Sequence, residues 1–136
     1  MKIDAPIITR DPSDAADLSL KIEASGFDGL CTFEGPHEPF LPLAVAASNT
    51  KKINLITSIA IAFARNPMLL ANIGYDLQLL SKGRFIMGLG SQIKPHIEKR
   101  FSMPWSSPAN RMREMIQAIK SIWECWENGT QLNFKG

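Results

Sequence analysis

The chain has 136 residues, 45% hydrophobic and 21% charged, with a formal net charge of +2. That length is enough for one domain with a real core, and so small a charge, spread over scattered Lys and Arg, argues against a nucleic-acid or anionic-membrane surface. Cys31 and Cys125 stand far apart outside any CxxC pair, which argues against a disulfide framework or a zinc site and for reduced thiols in a cytoplasmic protein; no stretch reaches the ~20 apolar residues of a membrane span, and no basic segment followed by an apolar run opens the chain as a signal peptide would.

In chain order, Lys2 to Ile8 reads as a first strand. Asp11-Pro12 is a cap-plus-proline signal for a first helix with Ala15, Leu18 and Ile22 on its buried face, and Gly26 stops it. Asp28 to Phe33 is a second strand, followed by the polar loop Glu34-Gly35-Pro36-His37-Glu38-Pro39. A second helix spans about Phe40 to Asn49, with Pro42 tolerated in its first turn. Ile53 to Ile61, rich in β-branched residues, is the third strand. Asn66 and Pro67 cap and open a third helix whose apolar face is Leu69, Leu70, Ile73, Leu77 and Leu80, and Gly83 closes it. Phe85-Ile86-Met87 is a fourth, buried-type strand running into Gly88-Leu89-Gly90-Ser91-Gln92. A long loop at about 93–107 holds a short helix around His96 to Arg100. Pro108 then opens a long helix with Met112, Met115, Ile116, Ile119, Ile122, Trp123 and Trp126 on its apolar face, ended by Asn128-Gly129.

Strands alternating with helices imply a parallel sheet with right-handed crossovers. Two architectures fit: an open doubly wound sheet, or half of a (β/α)8 barrel, which normally needs about 250 residues. In both, ligands sit at the C-terminal ends of the strands. The chemistry-bearing residues of this chain fall there: Glu34 and His37 after strand two, Thr57 and Ser58 at the end of strand three, and Gly90, Ser91 and Gln92 after strand four. His37 is one of two histidines, and a histidine beside a carboxylate suits acid/base work near neutral pH; the plainer reading is a solvated loop residue. Glu34 equally suits capping of the next helix. Gly88-Leu89-Gly90-Ser91 lacks the third glycine of a dinucleotide fingerprint, since position 93 is Ile93. Lys94 and Arg100 can neutralise a phosphate or simply face water, and His96 has no second His or Cys at metal spacing. No metal site is expected.

Ser58 to Pro67, then Leu80-Ser81-Lys82-Gly83-Arg84 through Gln92, resembles the luciferase-like monooxygenase superfamily, through an R-x-P, L-S-x-G-R, G-x-G order of features. Lys94 to Trp105 is most similar to its F420-dependent branch. The resemblance implies a TIM-barrel oxidoreductase moving hydride between the deazaflavin F420 and an organic substrate, with FMN as the family's other cofactor. The chain corresponds to the N-terminal half, about four β/α units, read as a single domain over 1–136. His37 is the expected acid/base residue, with Glu34 orienting it or shaping the pocket, and the resemblance implies Ser58, Ile59, Gly90, Ser91 and Gln92 at the cofactor. It places a non-prolyl cis peptide bond at Ser58–Ile59. Gly35 and Ile93 depart from dehydrogenases of the branch, which carry a histidine directly after the acidic residue and a glutamate past the glycine loop. An FMN-dependent monooxygenase of the same fold is the first alternative. The second is a truncated, non-catalytic half-barrel that self-associates. A small-molecule substrate is expected, and with it either a homo-oligomer or a missing C-terminal half.

Overall fold

A computed structural model describes residues 1–136. The strands are β1 (Asp4–Pro6), β2 (Gly29–Thr32), β3 (Asn54–Thr57), β4 (Ala60–Ile61), β5 (Phe85–Ile86) and β6 (Leu89–Gly90). The helices are α1 (Ala15–Ala24), α2 (Phe40–Asn49), α3 (Pro67–Leu80), α4 (Lys94–Lys99) and α5 (Pro108–Asn128), with short 3-10 turns at Pro12–Asp14 and Ala62–Ala64. Strands β1, β2, β3 and β5 form a four-stranded parallel sheet in that order, and β4 and β6 form a separate two-stranded sheet. No helix is long and apolar enough to cross a membrane. The chain divides into two compact units, one of Met1–Ala60 with Asp76–Leu89, the other of Ile61–Tyr75 with Gly90–Gly136.

The first unit contains the parallel sheet, whose register aligns Ala5, Leu30, Leu55 and Phe85 in one row across the strands. All four are buried, on the face packed by α1 and α2. Phe40 of α2 meets Phe85 edge to face with centroids 6.4 Å apart. Next along each strand, with side chains on the opposite face, come Pro6, Cys31, Ile56 and Ile86. None of that second row is fully buried, and Ile86 is 48% exposed.

Two polar clamps tie the loops beneath this sheet. Arg84 donates from Nε to the Ser81 carbonyl (2.8 Å), from Nη1 to Thr50 Oγ1 (2.9 Å) and the Ile53 carbonyl (2.8 Å), and from Nη2 to the carbonyls of Ala47 (3.1 Å) and Thr50 (3.0 Å). The planar guanidinium is suited to such a converging set of acceptors. It joins the end of α2, the entry to β3 and the end of α3. Glu23, at the end of α1, accepts the backbone N–H groups of Lys51, Lys52 and Ile53, the closest at 2.7 Å. Burial works to raise the Glu23 pKa, but these N–H donors and the charge of Arg84 outweigh it and hold the carboxyl below its ordinary value of 4.5. A lowered carboxylate pKa contributes stability above the unfolded-state value, and that contribution is lost as pH falls through the folded one. Thermal unfolding midpoints should therefore drop more steeply between about pH 5 and pH 3 in the native chain than in Glu23→Gln; equal slopes would remove Glu23 from the acid response.

The helix punctuation follows the sequence. Asp11 Oδ1 accepts the Ser13 N–H at 2.9 Å and Asn66 Oδ1 the Leu69 N–H at 2.9 Å. Gly83, at φ +86°, donates its N–H to the Gln78 carbonyl at 2.9 Å after the end of α3, a conformation glycine adopts without strain. Three expectations need correction. The third strand does not run unbroken from Ile53 to Ile61 but splits into β3 and β4. Its pairing changes sides there: Ser58 N–H donates to the Thr32 carbonyl (2.6 Å), whereas Ala60 N–H donates to the Gly88 carbonyl (2.9 Å). The buried face of α3 is Leu70, Ala71, Gly74 and Leu77, while Leu69 and Leu80 are 52% and 45% exposed. Small residues at 71 and 74 let the helix sit close, which moves the flanking leucines outward. On α1 the fully buried positions are Ala15 and Ser19, with Leu18 and Ile22 half-buried.

In the second unit α5 buries Met115, Ala118, Ile119 and Ile122. Trp123 Nε1 donates to the Ala71 carbonyl at 2.9 Å, and Trp126 meets Tyr75 edge to face at 5.3 Å, so the tryptophans anchor α5 to the middle of α3. Phe63 packs edge to face against Trp105 at 5.8 Å, with the Arg111 guanidinium 4.4 Å from the Phe63 ring centre. The loop expected at 93–107 contains α4, which starts at Lys94 and ends at Lys99, against the expected His96 to Arg100.

Candidate functional site

Glu34, His37, Ser58 and Ile59 belong to the first unit, and Gly90, Ser91 and Gln92 to the second. Within the first unit the C-terminal ends of β2 and β3 hold three of the four together through backbone bonds. Glu34 N–H donates to the Ile59 carbonyl at 3.0 Å, so the half-buried Glu34 stands beside the Ser58–Ile59 peptide. That peptide bond is cis, at the position the resemblance indicated. Ser58 is exposed and Ile59 half-buried.

Behind this strand end lies a contact that strand patterning alone did not disclose. Thr57, which is 1% exposed, donates from Oγ1 to the Gly88 carbonyl (2.9 Å) and accepts the Gly88 N–H at Oγ1 (2.9 Å). A Cβ at position 88 would lie 2.0 Å from the Thr57 carbonyl oxygen. Gly88 is thus required by close backbone approach rather than by an unusual φ. Alternation along β3 already turns Thr57 and Ser58 to opposite faces; only the tertiary fold shows that Thr57 faces a glycine.

His37 lies on the wall of a groove of 520 Å³ formed by the chain segments that follow β1 and β2. Its other walls include Ile8, Arg10, Phe33 and Leu41, a largely apolar lining with few polar groups, which is the usual character of a small-molecule site. The Thr32 hydroxyl donates to the Pro39 carbonyl at 2.8 Å and closes the loop that carries His37. The capping role considered for Glu34 is filled by Glu38, whose Oε2 accepts the Phe40 N–H at 2.6 Å and the Leu41 N–H at 3.3 Å. Arg10 and Phe33 carried no motif, and their place in the groove follows from the fold.

In the second unit Gln92 adopts a left-handed backbone (φ 59°), and its Oε1 accepts the N–H of Ile93 at 3.0 Å. Ser91 Oγ donates to the Gln92 carbonyl at 3.1 Å. A left-handed non-glycine residue is uncommon, and here the side chain folds back onto the following amide. In α4, Lys94 pairs with Glu98 at 3.8 Å. Arg100 stacks over Phe101, 4.7 Å from its ring centre.

A family model for luciferase-like monooxygenases matches residues 3–136. The chain belongs to the luciferase-like monooxygenase family. An uncharacterized protein of Mycobacterium tuberculosis is 59% identical over 122 residues, covering 90% of this chain and 36% of that protein. An F420-dependent glucose-6-phosphate dehydrogenase of Amycolatopsis mediterranei is 28% identical over 136 aligned positions, covering 92% of this chain and 40% of the dehydrogenase. Among solved structures, the oxygenating constituent of 3,6-diketocamphane monooxygenase from Pseudomonas putida, in complex with FMN, superposes with a TM-score of 0.77 at 18% identity, covering 90% of this chain and 39% of that one. The chain therefore spans a little over a third of the length of these luciferase-like relatives. The four parallel strands correspond to half of the family's (β/α)8 barrel.

Proposed function

We propose that this chain carries one wall of an oxidoreductase site that moves hydride between coenzyme F420 and an organic substrate. The observation that carries the reading is the apolar groove at the C-terminal strand ends with His37 exposed on its wall. An apolar surface excludes water from a hydride donor, and the histidine supplies the proton that must accompany the hydride. Likeness to an F420-dependent dehydrogenase supports the cofactor.

The strand ends fit a planar ring. Ser58 is exposed and Ile59 half-buried, so a short polar side chain and the backbone of the Ser58–Ile59 peptide border the opening. When bound, the deazaflavin would supply the hydride-accepting carbon. Ser58 and Ile59 would back its ring. In the oxidising direction His37 takes the proton of the substrate hydroxyl as the carbon gives up its hydride; in the reducing direction it returns that proton to the carbonyl oxygen. Glu34, held to the Ile59 carbonyl through its N–H, would orient the histidine loop.

Titration of the purified chain with F420 and with FMN, followed by cofactor fluorescence, tests this reading. Saturable F420 binding at tens of micromolar or tighter is expected. Failure of both cofactors to bind would remove the enzymatic assignment. FMN binding without F420 binding would favour the second reading, a flavin monooxygenase using oxygen, which the FMN-bound structural neighbour supports. His37→Ala should leave F420 affinity unchanged while slowing hydride transfer by about 10²-fold or more across a panel of alcohols and ketones. An unchanged rate would take His37 out of the chemistry.

A further inference from the structure

The polar groups of the groove beside His37 are unevenly committed. Its apolar walls include Ile8, Phe33 and Leu41, each at least 50% exposed. Five polar side chains stand among them: Thr9, Arg10, Thr32, His37 and Glu38. Three of these are engaged by the protein itself. The Thr9 hydroxyl lies 2.7 Å from the Asp11 carbonyl and 2.9 Å from Asp14 Oδ2, and the Thr32 hydroxyl donates to the Pro39 carbonyl. Glu38 Oε2 accepts the N–H groups of Phe40 and Leu41. The carboxylates that follow Arg10 in the chain are turned to other partners, Asp11 to the Ser13 N–H and Asp14 to Thr9. Arg10 and His37 remain, and neither side chain makes a hydrogen bond or an ion pair within the protein. A guanidinium has five donors and no acceptor, so the open demand at Arg10 is for an anion.

We infer that Arg10 selects substrates that carry a carboxylate on an apolar body, a hydroxy acid in one direction of the hydride transfer and an oxo acid in the other. The hydroxyl or oxo group rests on the proposed hydride transfer, whereas the carboxylate is argued from the groove alone. The planar fork of Arg10 matches a carboxylate with two parallel N–H donors. Ile8, Phe33 and Leu41 accept the apolar body, and His37 is left for the hydroxyl or carbonyl oxygen. A singly charged carboxylate suits these walls better than a phosphate dianion. Glu38 already brings a negative charge to them, and Arg10 is their one arginine or lysine. The carboxylate takes no part in the bond changes. It fixes one end of the substrate, which restricts how the reacting carbon is presented. A neutral alcohol or ketone of the same length lacks that anchor.

Titration of the ¹⁵N-labelled 136-residue chain with octanoate, octanamide and octyl phosphate, followed by NMR without any cofactor, tests the assignment. Octanoate should shift the Arg10 side-chain N–H signal together with the Phe33 and Leu41 amides. It should bind at least about tenfold more tightly than octanamide, which has the same chain and no charge. Octyl phosphate should bind no more tightly than octanoate. Arg10→Gln should abolish the preference for octanoate and leave octanamide affinity unchanged. The comparison of the three ligands on the native chain needs no variant, so it stands even where Arg10→Gln does not fold. Equal affinities for octanoate and octanamide, tighter binding of octyl phosphate, a preference that survives Arg10→Gln, or shifts confined to residues outside the groove would each overturn the inference. Failure of F420 to bind in its own titration would remove the hydride transfer and leave the carboxylate result intact, so the two readings fail separately.

Discussion

Replacing Arg84 by alanine is expected to lower the stability of the chain by about 3 kcal/mol and its unfolding midpoint by roughly 10 °C. The substitution removes all five donors at once and leaves the carbonyls of Ala47, Thr50, Ile53 and Ser81 to find water in a half-buried setting. The Thr50 hydroxyl keeps its own bond to the Ala46 carbonyl at 2.7 Å, so the loss falls on the carbonyls. Arg84→Lys should recover less than half of it, because a single ammonium cannot reproduce the planar fork. Denaturant unfolding with an unchanged m-value is the measurement. A loss within about 0.5 kcal/mol, the range of an ordinary surface change, would show that the clamp is not structural. The L-S-x-G-R stretch from Leu80 to Arg84 therefore acts here as a joint between helix and sheet. Ser81 accepts the Arg84 N–H, Gly83 turns the chain, and Arg84 gathers the surrounding carbonyls.

Gly88→Ala should have an effect of similar size by a different route. Its methyl carbon would stand 2.0 Å from a backbone oxygen, so strand or bulge must shift and the two Thr57–Gly88 hydrogen bonds must lengthen. Overpacking of this kind typically costs about 1–3 kcal/mol, and a backbone clash belongs at the top of that range. If the proposed function holds, cofactor affinity should fall with it, since the Ala60 N–H donates to the carbonyl of the same residue. Gly83→Ala is the informative comparison. Nothing lies within 4 Å of a Cβ there and only the φ of +86° opposes it, so a smaller loss of about 1–2 kcal/mol is expected, with cofactor binding preserved. Equal effects at the two positions would refute the distinction between a backbone clash and left-handed strain.

Much of the architecture was legible because the signals are local. The Asn66-Pro67 cap, the Gly83 stop and the span of α2 depend on a few neighbouring residues, and each stands where its residue types place it. The order of the motifs from Ser58 to Gln92 also carried the family. The interruption of the third strand was not visible in its β-branched composition, because it depends on two hydrogen-bond partners, Thr32 and Gly88, far away in sequence. The exposed face of α3 was misread for a related reason. Leu69 and Leu80 fit the helical period as well as Leu70 and Leu77 do, and only packing around Ala71 and Gly74 chooses between them.

For the site, the sequence by itself determined which residue types gather at the C-terminal strand ends, since alternating strands and helices put the connecting loops there. It offered His37 and Glu34 as a pair. Tertiary structure assigned them different surroundings: His37 on the groove wall with Arg10 and Phe33, and Glu34 against Ile59, with the helix cap passed to Glu38. It alone revealed the Thr57–Gly88 clamp and the uncovered row from Pro6 to Ile86. The physical reason is one of range. Caps, stops and strand alternation are decided within a few residues, whereas a clamp between strands and an open sheet face are decided by which distant segments meet.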